Sequence, residues 1–127
     1  MAEQPDLVFY QMATGINLLH PDKRLIPTAT IGLNCDGHLK QHIRCGENPL
    51  EVISRIVTIA CGVPDTPFKF SVTGDMHQIK TTVIFGSNQD QSHQVIVTRV
   101  GTDLIATLIE ALLAGFNELH KDAKKTH

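Results

Sequence analysis

The strongest constraint on how this chain folds is a junction that occurs twice. A strand-like run reaches a glycine, a helix-capping residue follows, and a strongly apolar helix begins. The first copy is Gly46-Glu47-Asn48-Pro49 leading into Leu50, and the second is Gly101-Thr102-Asp103 leading into Leu104. Positions 46 and 101 are 55 residues apart, and the same offset carries Ile53 onto Leu108, Ile56 onto Ala111 and Val57 onto Leu112. At 127 residues the chain has room for one core. It therefore reads as a single domain over 1–127, with one repeat at about 7–62 and the other at about 67–120.

Each half reads as three strands and then a helix. Leu7 to Thr14 is rich in strand formers and stops at Gly15, and Asn17 to Arg24, with Pro21 and Asp22, reads as an exposed connection. Ile26 to Asn34 alternates Thr28, Thr30 and Gly32 against Ala29, Ile31 and Leu33, and Asp36-Gly37 follows as a hairpin turn. His38 to Cys45 sets Leu39, Gln41, Ile43 and Cys45 against His38, Lys40, His42 and Arg44, which predicts a buried apolar face and a wetted polar one. In the second half Phe68, Phe70 and Val72 alternate with Lys69, Ser71 and Thr73 up to Gly74-Asp75. Ile79 to Phe85 is the next strand, Gly86 to Gln91 a polar turn region, and His93 to Arg99 a third strand with Val95 and Val97 on one face.

The first helix has a complete start: Asn48 as N-cap, Pro49 at the first helical position, and Glu51 placed to reach back in a capping box. Leu50, Ile53, Ile56, Val57 and Ala60 recur at helical spacing, Val52 and Ile59 widen the stripe, and Gly62 and Pro64 end it. The second helix carries Leu104, Ile105, Leu108, Ile109, Leu112, Leu113, Phe116 and Leu119, with Thr102 or Asp103 as its cap. Asp103 also brings negative charge to the positive end of the helix dipole. The fold class is thus α+β, two βββα pseudo-repeats with antiparallel sheets packed with two helices. Both helices are apolar beyond one face, so each is expected to finish its burial against its pseudo-repeat or another subunit.

Several functions are excluded by composition. A net charge of -2, with Lys121, Lys124 and Lys125 as the basic cluster, argues against a nucleic-acid surface. No apolar run approaches the roughly 20 residues a membrane span needs. Met1 to Asp6 lacks the basic flank and apolar stretch of a signal peptide, so a cytoplasmic location is expected. Cys35, Cys45 and Cys61 are odd in number and show no CxxC spacing, which favours buried thiols in a reducing compartment over a bridge or zinc site. His38 and His42 project from one strand face, but no HxH or HExxH pattern joins them, so they are expected to face solvent without metal; His77 and His93 flank turns. Cys45 stands at a helix entrance, where a thiol pKa falls, yet it has no partner base and its alternation assigns it to the packed face. No catalytic site, metal or cofactor is expected.

What remains are the two junctions. Free backbone N–H groups at a helix start bind carboxylates or phosphates, and neither copy matches a P-loop or GxGxxG fingerprint. Two such entrances flanked by apolar strands suit a small amphiphile such as an α-amino acid, with its carboxylate on backbone donors and its chain among branched residues.

Thr28-Ala29-Thr30-Ile31-Gly32-Leu33, the hairpin through Asp36-Gly37, the run Cys45-Gly46-Glu47-Asn48-Pro49-Leu50-Glu51-Val52, and Val100-Gly101-Thr102-Asp103-Leu104-Ile105 through Phe116-Asn117-Glu118-Leu119 together carry a resemblance. From about Leu7 to Leu119 the chain resembles the C-terminal allosteric dimerisation domain of the α-isopropylmalate synthase and citramalate synthase family. The resemblance implies a pair of βββα units, a homodimer, and an effector, leucine or isoleucine, bound near the subunit interface to inhibit a distant TIM-barrel active site. Carried over by position, effector contacts fall at Gly46, Glu47, Asn48 and Pro49 and at Gly101, Thr102 and Asp103. The family usually has a second glycine where Asn48 stands and a small residue where Val52 stands. The acetyl-CoA-condensing barrel lies outside this sequence, so the chain itself is expected to have no synthase activity. Two rival readings are a free-standing homodimeric interaction module with no small effector, and a small enzyme using Cys45 with a histidine.

Overall fold

A computed structural model describes residues 4–15, 19, 26–63, 66–86 and 94–125. Along the chain run β1 (Asp6–Ala13), β2 (Thr28–Cys35), β3 (His38–Cys45), α1 (Pro49–Cys61), β4 (Phe68–Gly74), β5 (Ile79–Phe85), β6 (Val95–Gly101) and α2 (Leu104–Lys125). The order βββα occurs twice, and the fold is α+β. Strands β1-β2-β3 form one antiparallel sheet and β4-β5-β6 a second. The strand ends lie within two residues of those the alternation gave. The expected connection at 17–24 (Leu19 apart), the stop at Pro64, the turn residues 87–91 and His93 lie outside the described residues. No helix among the described residues is long and apolar enough to cross a membrane.

Register decides which face of each strand meets the core. On the central strand β2, Ala29, Ile31 and Leu33 are fully buried. The turn at Asp36-Gly37, with φ of 54° and 86°, pairs Cys35 with His38. Arg44 therefore opposes Ala29, His42 opposes Ile31 and Lys40 opposes Leu33. Directly opposed residues share a face, so the even-numbered, polar side of β3 turns toward the core. Leu39 and Ile43 point outward, 55% and 58% exposed, and Cys45 is exposed as well. The expectation of a buried apolar face on β3, with Cys45 packed in it, is corrected here. The physical reason is parity: β2 supplies the core, and β3, at the sheet edge, takes whichever face a two-residue turn imposes. On the same outer face the Phe9 ring lies over Gly32, where an added methyl would run into it.

The helices lie on the inner faces. Helix α1 packs on β2 and β3, α2 packs on β5, β6 and β1, and the two helices touch. One continuous core results, with Ile53, Ile56 and Val57 of α1 buried alongside Leu108, Ala111 and Leu112 of α2, their counterparts in the repeat. The broad apolar face of α2 is thus met within the chain, by its own sheet on one side and by α1 and β1 on the others. Val52 is buried as its place on the widened stripe suggested, whereas Ile59 is half-exposed. Phe85 stacks at a tilt on Phe116 and Phe68, with ring centroids 4.8 and 5.6 Å away, and Gly115 beneath it leaves no room for a Cβ. The inner residues Phe70 and Val72 of β4 remain 47% and 41% exposed, because the helices cover the other strands.

Candidate functional site

The two junctions share one pattern of capping hydrogen bonds. At the first, Asn48 has extended backbone and its Oδ1 accepts from the Glu51 N–H at 2.8 Å, while its carbonyl accepts from the Val52 N–H at 3.2 Å. At the second, Asp103 Oδ1 accepts from the Ala106 N–H at 2.9 Å and its carbonyl from the Thr107 N–H at 3.0 Å. Of the two caps considered for α2, Asp103 is the one that serves. Gly46 and Gly101 are equivalent too. A Cβ on Gly46 would stand 2.9 Å from Val52 Cγ2, and one on Gly101 would stand 2.8 Å from Thr107 Cγ2. Each glycine lets the chain pass under a β-branched residue six positions along.

Chemistry separates the two copies. Asp103 places a carboxylate at the start of α2, and the Tyr10 hydroxyl donates to it at 2.6 Å. The Tyr10 bond, then the Ala106 N–H, hold the Asp103 carboxyl below its ordinary value of 3.8, and the same bond raises the Tyr10 hydroxyl above 10.0. The second helix entrance is therefore occupied by the chain's own anion. Gly101 is half-buried and Thr102 exposed beside it. At the first entrance the cap is neutral. Once Asn48 Oδ1 is committed to the helix, the amide NH2 is the donor left over. Glu51 does not play the capping-box part suggested by its position; its Oε1 accepts from Arg55 Nη2 at 3.2 Å, an exposed i,i+4 pair.

Two open clefts flank this first junction. One of about 610 Å³ is lined by Ile26, Pro27, Cys45, Gly46, Glu47, Glu51 and Arg55. The other, of about 380 Å³, is lined by Asn48, Leu50, Glu51, Ser54, Arg55, Thr66, Pro67 and Phe68. Both volumes fall within the range of small-ligand sites. The Gly46 N–H donates to the Pro27 carbonyl at 3.2 Å and so fixes the floor of the larger cleft. Pro49, half-buried, forms the first residue of the helix between them. Gly46 and Glu47 thus line the larger cleft and Asn48 the smaller, and neither cleft includes a residue of the second junction. Residue reasoning did not point to Arg55, Ile26, Pro27, Thr66, Pro67 or Phe68 as lining residues. Arg55 was findable as the i+4 partner of Glu51; the others arrive only through tertiary packing. Tyr10 was likewise unmarked, since no local pattern ties residue 10 to residue 103.

The other candidates carry no comparable geometry. Among the described residues no group of three histidine, cysteine or acidic side chains is placed to hold a metal. His38 and His77 are exposed, but His42 is half-buried on the inner face of β3, its Nε2 buried and without a hydrogen-bond partner. Burial, then the nearby Arg44 and Lys40, push its pKa below the ordinary 6.5. The lysines at 121, 124 and 125 continue α2, which extends to Lys125. No known family model matches this chain, and no curated protein matches it.

Proposed function

We propose that this chain is an amino-acid-binding regulatory domain that acts as a homodimer, giving end-product feedback control to an α-isopropylmalate or citramalate synthase-type enzyme. The effector is a branched-chain amino acid, leucine or isoleucine, and it binds at Gly46 to Pro49. The carrying observation is the contrast between the two helix entrances: Asp103 fills the second with a carboxylate, while the neutral Asn48 leaves the first open to an effector's own carboxylate. Arg55 and Glu51, paired with each other at 3.2 Å on the rim shared by both clefts, would exchange that pairing for the carboxylate and the ammonium of an α-amino acid, and Glu47 adds a second carboxylate to the larger cleft. Leu50 and Phe68 supply apolar wall for its side chain in the cleft that Asn48 lines. Both clefts are open to solvent, and in this reading a second subunit closes them. Regulation then follows by linkage, the effector stabilising one dimer arrangement by about 1 to 3 kcal/mol.

The test is Asn48→Asp. Aspartate caps a helix as well as asparagine does, so stability is expected to hold within about 0.5 kcal/mol, but the first entrance would then carry the same charge as the second. In a calorimetric titration and thermal-shift series with leucine, isoleucine and valine, the parent is expected to bind one of them, with stabilisation of about 2.7 kcal/mol at 100 times Kd, and the variant to lose it. Unchanged binding by Asn48→Asp, or a parent that binds none of the three, rejects the reading.

A second reading has its own observation. The outer face of the first sheet carries Phe9, Leu39 and Ile43 among uncharged residues such as Gln11, Thr30 and Gln41, which suits a protein surface. A homodimeric interaction module without effector would show dimers in sedimentation that Ile43→Lys separates, with no amino-acid response.

A further inference from the structure

The final residue of β2 and the final residue of α1 are both cysteines, Cys35 and Cys61. The topology brings them to the same place. The chain leaves β3 beside the beginning of β2, where the Gly46 N–H holds the Pro27 carbonyl, and α1 then packs on β2 and β3. Having reversed direction after β3, α1 runs the same way as β2. From its first to its last residue α1 advances about 18 Å, and β2 advances about 23 Å. The C-terminal end of the helix therefore arrives over the end of β2. Cys35 shares the inner face with Ala29, Ile31 and Leu33, the face that looks at the helix. Both thiols are free, half-buried and packed against the same core.

Electrostatics agrees with the placement. Burial, and then the closeness of Cys35, push the Cys61 thiol up to about 11. A helix C-terminus, where Cys61 sits, also disfavours a thiolate. Cys45 lies at the opposite end of the sheet, paired with Thr28, and is exposed.

We propose that Cys35 and Cys61 form a site of reversible thiol modification whose co-substrate is a low-molecular-weight disulfide. The Cys35 thiolate attacks one sulfur of the small disulfide RSSR; an S–S bond to R forms, the RS–SR bond breaks, and the departing RS⁻ takes up a proton. Cys61 then gives its proton to solvent and attacks Cys35 Sγ, expelling the second RS⁻, which is protonated in turn. Two electrons pass from the cysteine pair to the small disulfide, which leaves as two RSH. The bridge encloses β3, the first junction and all but the last residue of α1 in one covalent loop. It pins the far end of the helix whose beginning lines both clefts.

The experiment uses the full chain with Cys45→Ser, a change at an exposed position that leaves only the pair. Incubated with oxidised glutathione, acid-quenched and measured by intact mass and non-reducing peptide mapping, the protein is expected to lose two hydrogen atoms. The internal Cys35–Cys61 link should exceed glutathione adducts by at least about tenfold. Reductant should restore the parent mass, and the urea midpoint of the linked form should rise. Adding Cys61→Ser should arrest the reaction at one glutathione on Cys35. Two separate adducts, an unreacted dithiol, covalent dimers in place of the internal link, or a Cys61→Ser form with no adduct would each overturn the proposal. None of these readouts depends on an amino-acid effector, so the site stands or falls apart from the regulatory reading.

Discussion

Gly46 and Gly101 are held as glycine by Val52 and Thr107, whose methyls would stand 2.9 and 2.8 Å from an added Cβ. Both neighbours are fully buried and β-branched; Val52 has one strongly preferred rotamer in a helix, and Thr107 is held by its hydroxyl's bonds to the Leu104 carbonyl and the Thr81 hydroxyl, so neither can move aside at low cost. Gly46→Ala and Gly101→Ala are each expected to destabilise the fold by about 1 to 3 kcal/mol in urea titrations. In a Val52→Ala background the loss from Gly46→Ala should shrink, whereas the loss from Gly101→Ala should not. Tyr10 and Asp103 make a second residue-scale prediction. The carboxyl is depressed, so its contribution is present above about 3.8 and lost as pH falls through the folded value; the hydroxyl is raised, so its contribution is present below 10.0 and lost as pH rises through its folded value. Tyr10→Phe is expected to remove the alkaline limb and weaken the acid one in stability measured against pH. His42 acts in the middle range. Its folded pKa lies below 6.5, so the unfolded chain takes up a proton that the folded one resists, and stability falls as pH drops below about 6.5. In His42→Gln that part of the pH dependence should disappear.

At the scale of elements, the helix starts were readable because capping is local. Asn48, Pro49 and Asp103 act within one turn of themselves, and the structure finds both caps in service. Glu51 was misread for an equally local reason: a carboxylate at the third helical position has two partners within reach, the cap N–H behind and Arg55 ahead, and here it bonds Arg55. The face of β3 was not readable from β3. Its own alternation is clear, but only the parity of the Asp36-Gly37 turn and the demand of Ala29, Ile31 and Leu33 for the core say which side is inner. Gly115 is an element-scale contact of the same kind. Alanine would favour the helix by about 1 kcal/mol, yet its methyl would run into the ring of Phe85, which is already wedged against Phe68 and Phe116. Gly115→Ala should therefore lower stability by about 1 to 3 kcal/mol despite the better propensity, as thermal unfolding would show.

The molecule as a whole unites the halves more closely than the repeat alone requires. Helix α2 covers β1 of the first sheet as well as β5 and β6 of its own, and Tyr10 reaches across to Asp103. One core contains residues from both halves, so far-ultraviolet ellipticity and near-ultraviolet ellipticity should report a single coincident urea transition, and a chain cut to residues 1–62 should stay unfolded. Two separated transitions, or a folded half, would show that the repeats are independent. By itself the sequence determined the two βββα units, the ends of their strands to within two residues, and the Asn48 cap of the first helix, while leaving Thr102 and Asp103 as alternatives for the second, because those depend on period, turn and capping chemistry within a few residues. Tertiary structure alone decided which face of β3 is inner, that Asp103 is engaged by Tyr10 while Asn48 lines a cleft, and that Cys61 at the end of α1 lies near Cys35 at the end of β2. Those are contacts between residues far apart in the chain, and no local pattern encodes the register and packing that bring them together.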